Sequence, residues 1–174
     1  MAGILPFSYN PTDNKLYYLL SRESHTHPKA AKQFSDFGGS KERNESKIST
    51  AAREGYEETQ GMLGSEKTIN NHISKLPQSM ILKTKYNTYT TFLYQIKHNE
   101  DIALIMNRLY HFMKKNVKVI VDEPNGYFEK DHHILVTLEQ LKSNFYTKLR
   151  PFYRQIVDQI DEIKILKYIQ ITNK

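Results

Sequence analysis

The stretch from Gly39 to Gly61, GSKERNESKISTAAREGYEETQG, limits what this chain can be more than any other part of it. Read as a helix over Ser46 to Gln60, it places Glu54, Glu57 and Glu58 at i, i+3 and i+4, so three carboxylates share one helix face. Like charges at that spacing repel, and such a face costs stability unless a cation sits among them. A cluster of hard oxygen ligands suits Mg²⁺ or Mn²⁺. Three glutamates on a helix are more often a plain solvated face. Taken alone, that plain reading would usually win.

Gly39, Glu45, Arg53, Glu54, Glu57 and Glu58 fill six fixed positions of the pattern G-x5-E-x7-R-E-U-x-E-E-x-G-U, where U is a bulky aliphatic residue. Six chance matches in a chain of this length have a probability on the order of one in 10⁵. The segment therefore resembles the signature of the Nudix hydrolases. Two positions depart from it. Gly55 stands where an aliphatic residue is usual, which removes a packing contact and costs roughly 1 kcal/mol of helix propensity. Gln60 stands where the late glycine is expected, with Gly61 one place on, so the helix is expected to run one residue longer before a glycine cap. Neither departure touches a charged position. A weaker echo lies at GYFEKDHHILVTLEQL, which is similar to the late Nudix segment where an acidic residue precedes a strand and a short helix.

The resemblance implies an α/β fold, a Nudix-type α/β/α sandwich with a mixed β-sheet and a long C-terminal helix. It implies a Mg²⁺- or Mn²⁺-dependent pyrophosphohydrolase, in which metal ions neutralise phosphate oxygens and activate water while a side-chain base takes a proton. Carried over by position, Glu57 and Glu58 would be core metal ligands, and Glu54 a ligand or the general base. The Gly38 carbonyl would be a further ligand, since glycine lets the backbone approach an ion closely. Glu45 and Arg53 would hold the loop and the helix together, and Arg53, four residues before Glu57, would orient that carboxylate through a salt bridge. Phe37 replaces the usual proline ahead of the two glycines. Glu129 would be a late carboxylate that completes the metal site or acts as base. Its rivals are Glu123 and Asp131, and its plain reading is a surface glutamate.

A chain of 174 residues fits one domain, residues 1–174. It has no cysteine, which excludes disulfides and thiolate metal sites and fits a reducing compartment. No apolar run reaches the length of a membrane span, and MAGILPFSYN lacks the basic start of a signal peptide. The expectation is a cytoplasmic protein without a membrane partner, in a host's cytoplasm if the source is viral or parasitic. The net charge is +6 despite the acidic cluster, so the positive charge lies elsewhere and favours polyanionic partners. These are a phosphorylated small molecule or a capped RNA 5′ end, and a homodimer is compatible.

The expected reaction is cleavage of a nucleoside diphosphate linked to another moiety. The charge leans it to an extended polyanion: an mRNA cap, a dinucleoside polyphosphate or a diphosphoinositol phosphate. The alternatives are a modified nucleoside triphosphate pyrophosphatase and a non-catalytic Nudix-fold module that binds nucleotide or RNA. Arg22, Lys29 and Lys32 are candidate phosphate contacts, although basic loop residues are more often solvated. His25 and His27 read as exposed loop, and His132 and His133 as part surface, part strand. Tyr17, Tyr18, Tyr89 and Tyr94 read mainly as core, with base stacking as the alternative.

Along the chain, residues 2–9 read as a strand interrupted by Pro6, 10–14 as a turn, 15–21 as a buried strand and 22–33 as a loop. A short strand at 34–37 enters the signature. The stretch 64–78 reads as loose with a helical turn at NNHIS. Strands are expected at 79–85 and 89–97 around a turn at Asn87. A helix is expected at 101–116 with apolar residues 102, 105, 109, 112 and 113 in its stripe. Then come a strand at 117–121, a turn at 122–127, a strand at 133–137, a short helix capped by Thr137, and one amphipathic helix from Phe145 to about Ile171. Pro151 either kinks that helix or starts its main part.

Overall fold

The computed structural model describes residues 1–24, 31–116 and 128–172. The expected strand at 117–121, the turn at 122–127 with Glu123, and the loop residues His25, His27 and Lys29 lie outside the described residues. Within them, seven strands form one mixed sheet: β1 (Ala2–Asn10), β2 (Lys15–Glu23), β3 (Phe34–Ser35), β4 (Phe37–Gly39), β5 (Ile81–Lys83), β6 (Thr90–Gln95) and β7 (Lys130–Val136). The helices are α1 (Lys47–Glu58), α2 (Glu66–Ile73), α3 (Ile102–Asn116), α4 (Pro151–Val157) and α5 (Glu162–Thr172), with short helical turns between Leu138 and Lys148. The strand order is β3-β2-β1-β6-β5, with β7 also on β2 and β4 also on β1. Only the β1–β6 pair is parallel.

β1 runs through Pro6 without a break. The Phe7 carbonyl accepts the Ile96 N–H, so odd-numbered residues of β1 address β6 and even-numbered ones address the opposite edge. On that edge β4 covers Ala2 to Ile4, and β2 takes over at Phe7. Pro6 falls at the handover, where its missing N–H leaves no ladder bond unmade.

Side-chain alternation assigns the layers. Ile4 meets α1, and Tyr94 meets the His72 ring of α2 at 4.8 Å between centroids. His133 of β7 binds Asn107 of α3. On the other face, Tyr89 meets Phe152 of α4 and the Tyr18 hydroxyl donates to Glu162 of α5. Helices α1, α2 and α3 therefore cover one face and α4 and α5 the other, which is the expected α/β/α sandwich.

Several elements differ from expectation. The loose stretch holds a true helix, α2, whose start is fixed by Ser65: its hydroxyl accepts the Thr68 N–H. The strand expected at 79–85 is a helical turn at Gln78–Met80 followed by the three residues of β5. The stripe of α3 is rotated: Met106 and Tyr110 are buried, while Ile105 and Phe112 are 41% and 62% exposed. The long C-terminal helix is two helices. Pro151 begins α4, where its ring needs no intrahelical N–H. The second break falls before Glu162, where the Asp161 carboxylate accepts the Lys164 N–H as an N-cap and restarts the helix as α5. Just ahead of that break, the Gln159 carboxamide lies along the outer edge of β5. It accepts the Lys83 N–H at 3.4 Å and donates to the Lys83 carbonyl at 2.9 Å, and Gln155 accepts the Lys85 N–H.

Candidate active site

Helix α1 carries the acidic face, and both of its ends are closed locally. Ser46 caps the start by accepting the Ser49 N–H. The C-terminus corrects the expectation of a longer helix. The last helical residue is Glu58, Thr59 is the cap, and Gln60 itself takes the left-handed conformation at φ 54°. The Gln60 N–H bonds the Glu57 carbonyl and the Gly61 N–H bonds that of Tyr56, a Schellman closure with glutamine in the glycine position. The other departure, Gly55, also has a physical reason. A Cβ there would come within 2.6 Å of Ile4 Cδ1, so Ile4 of β1 fills the space of the usual aliphatic side chain.

Arg53 is the junction of the site. Its Nε binds Glu45 Oε1 at 2.8 Å, Nη1 binds Glu57 Oε2 at 3.0 Å, and Nη2 reaches both the Ser40 carbonyl at 2.9 Å and Glu54 Oε1 at 3.0 Å. Glu45 also accepts from the Thr50 hydroxyl and the Glu42 N–H. Arg53 above all holds the Glu45 carboxyl far down, to about 2. Glu45 and Arg53 thus tie the glycine loop to the helix.

The three α1 carboxylates have different surroundings. Glu54 is buried against Gly39, where a Cβ would stand 2.5 Å from its Oε1. Glycine at 39 is therefore a requirement of that approach. Burial pushes Glu54 up to about 7 against the pull of Arg53, and Glu57 and Glu129 add to the push. Glu57 is the more open one, with its side chain 23% exposed, and burial raises it too. Glu58 is fully buried. Its Oε2 accepts the Gly38 N–H at 2.7 Å and its Oε1 lies 3.4 Å from Lys130 Nζ. Burial raises it, while Lys130 opposes the shift.

Lys130 was not singled out by sequence reasoning, nor were Glu23, Arg150 and Asp36. Lys130 Nζ is buried, forms a short ion pair with Glu23 Oε1 and reaches Ser35 Oγ at 3.3 Å. Burial alone would lower its pKa, but Glu58 and Glu23 outweigh burial and raise it. Arg150, ahead of α4, binds the same Glu23 oxygen at 3.0 Å. On the opposite face of the sheet, Asp36 accepts from the Tyr89 and Thr91 hydroxyls at 2.6 and 2.7 Å, and burial lifts it to about 6. The expected strands end at residue 21 and begin at 133, so neither charge stands inside one; the structure extends β2 to Glu23 and starts β7 at Lys130, burying two charges that would be costly unpaired.

Of the remaining candidates, Glu129 is exposed, and its carbonyl accepts the Ser24 N–H. Its charge acts on both Glu54 and Glu58, so it belongs to the same electrostatic neighbourhood. Asp131, its rival, is instead paired with Arg22 at 2.8 Å. Lys32 is exposed at φ 64°, with its N–H on the Glu23 carbonyl. Glycine at 38 is demanded by packing, since a Cβ there would strike Gly3 and the Tyr89 hydroxyl.

Among the described residues no three acidic or imidazole side chains already converge as a metal cluster. Arg53 holds Glu54 and Glu57, while Lys130 and the Gly38 amide hold Glu58. The donor chemistry nevertheless suits a hard divalent ion. Arg53 engages Oε1 of Glu54 and Oε2 of Glu57, and the other oxygen of each has no hydrogen-bond partner among the described residues.

No model of a known protein family matches the chain, and a sequence search of curated proteins finds no match. Among solved structures it is similar to a Nudix hydrolase from M. smegmatis, RenU, at 13% identity over 95% of this chain and 85% of that one, with a TM-score of 0.47. It is similar to a C. elegans Ap4A hydrolase at 12% identity over 97% of each chain, TM-score 0.48. It is also similar to a MutT protein from Methanosarcina mazei Go1 at 16% identity over 94% of each chain, TM-score 0.49.

Proposed function

We propose that this chain is a Nudix pyrophosphohydrolase that cleaves a phosphoanhydride bond in a nucleoside diphosphate linked to another moiety. The observation that carries the reading is the Arg53 junction, where one guanidinium gathers Glu45, the Ser40 carbonyl, Glu54 and Glu57. Residues at fixed distances in the signature thus meet at one point in space. An incidental acidic face has no reason to do this.

Glu54, Glu57, Glu58 and the Gly38 carbonyl are the groups that would hold Mg²⁺ or Mn²⁺. When bound, such an ion neutralises phosphate oxygens and lowers the pKa of a coordinated water. The chain's own contribution is positioning and proton handling. Glu54 is either one of these ligands or the general base; burial raises it towards neutrality, which suits the second role where it is not on the ion. Arg53 fixes its rotamer and that of Glu57. Glu129, whose charge is felt by Glu54 and Glu58, is the second candidate base. Arg22 and Lys32 are the proposed phosphate contacts, with Arg22 exchanging Asp131 for substrate. The net charge of +6 supports an extended polyanion: a capped RNA 5′ end, a dinucleoside polyphosphate or a diphosphoinositol phosphate. The setting we propose is a single domain over residues 1–174 acting in the cytoplasm.

The test is a panel of those substrates and modified nucleoside triphosphates, with Mg²⁺ or Mn²⁺ and product identification. Turnover by wild type, abolished in Glu57→Gln and Glu58→Gln, is the expected result. The second reading is a non-catalytic nucleotide-binding module, favoured by the engagement of Glu58 with Lys130. Tight binding across the panel without phosphate release would decide for it.

A further inference from the structure

The buried cation beside Glu58 is not part of the signature. Lys130 lies on β7, Glu23 on β2 and Glu58 on α1, so three separate elements bring these charges together. The lysine has a close partner in Glu23 and a looser one in Glu58 at 3.4 Å. A buried ammonium that loses its sole partner is strongly unfavourable. Lys130 can lose Glu58 and still keep Glu23 and the Ser35 hydroxyl. Glu58 likewise keeps the Gly38 N–H on Oε2 when Oε1 is released. Neither group is stranded by the exchange.

We propose that Lys130 is a resident counter-cation for Glu58 that a divalent ion displaces, and that Glu23 sets how readily Lys130 lets go. This rests on the reading of Glu58 as a metal ligand given above. Without an ion, Lys130 balances a carboxylate that would otherwise be buried unpaired. With an ion on Glu58, Lys130 falls back on Glu23. Arg150 shares the Glu23 oxygen, so it tunes how strongly Glu23 holds the lysine. Lys130 is accordingly a positioning residue: it acts on the site through Glu58.

The inference predicts opposite signs for two substitutions. Lys130→Met removes the competitor, and Mn²⁺ affinity tightens roughly tenfold. Glu23→Gln removes the fallback partner, Lys130 clings to Glu58, and affinity weakens by a similar factor. Both are measured by calorimetry and by Mn²⁺ electron paramagnetic resonance, without substrate. The metal-free Lys130→Met protein melts below wild type and recovers more melting temperature than wild type when Mn²⁺ is added. A purely structural role would lower stability in both variants and move affinity in one direction or not at all, which overturns the proposal. If Lys130→Met does not fold, Glu23→Gln decides alone, and unchanged or tighter Mn²⁺ binding overturns it. A wild-type protein that binds no Mn²⁺ overturns the metal reading and this inference with it.

Discussion

Arg53 shows what a single residue does here that its near equivalent cannot. A lysine offers one compact charge and cannot reproduce the guanidinium fork that reaches Glu45, Glu54, Glu57 and the Ser40 carbonyl together. Arg53→Lys should lower stability by about 2 kcal/mol in urea unfolding and reduce turnover far more than it changes KM. At this scale the motif was legible because its residues and their partners lie close together in sequence. Lys130 was not, because Glu23 is 107 positions away and no local pattern announces a pairing of that span.

Elements were legible where their signals are local and their packing is not in question. Strands β1 and β2, the signature helix and the 101–116 helix follow from apolar runs, the fixed spacing of the signature and helical periodicity. Which face of α3 turns inward depends on where β7 lies, and the sequence does not state that. Gly55 makes the same point for α1. Gly55→Ala gains about 1 kcal/mol of helix propensity but drives its methyl into Ile4. Overpacking of that kind costs roughly 1–3 kcal/mol, so the single variant should melt lower than wild type. Pairing it with Ile4→Val should recover the loss, and a double-mutant cycle on thermal melts measures the coupling. The joint of α3 and β7 also reports on pH. His133 lies under α3, its main chain and Nδ1 meet the Asn107 side chain, and its ring stacks on Phe37. Burial lowers it from 6.5 to about 4. The unfolded chain therefore takes up a proton on this residue, as pH falls through that window, before the folded chain does. Stability should drop by up to about 3 kcal/mol between pH 6.5 and 4, and His133→Gln should flatten that slope in urea titrations.

Over the whole molecule, the positive excess and the acidic site have to be reconciled. If the substrate is an extended polyanion, raising salt from 50 to 200 mM should increase its KM by about tenfold, while a short nucleotide substrate should respond much less. The layered α/β architecture was legible from the order of elements. The split of the C-terminal helix was not, because its second break rests on one aspartate acting as a cap inside an otherwise helical pattern. That split places Gln159 beside β5. A free sheet edge is a template on which other chains can grow, and β5 lies at the end of the strand order. By satisfying both main-chain groups of Lys83, the Gln159 carboxamide acts as a one-residue dummy strand. Its consequence is colloidal: the protein should remain dispersed at high concentration, whereas Gln159→Ala should scatter light on storage with its melting temperature almost unchanged.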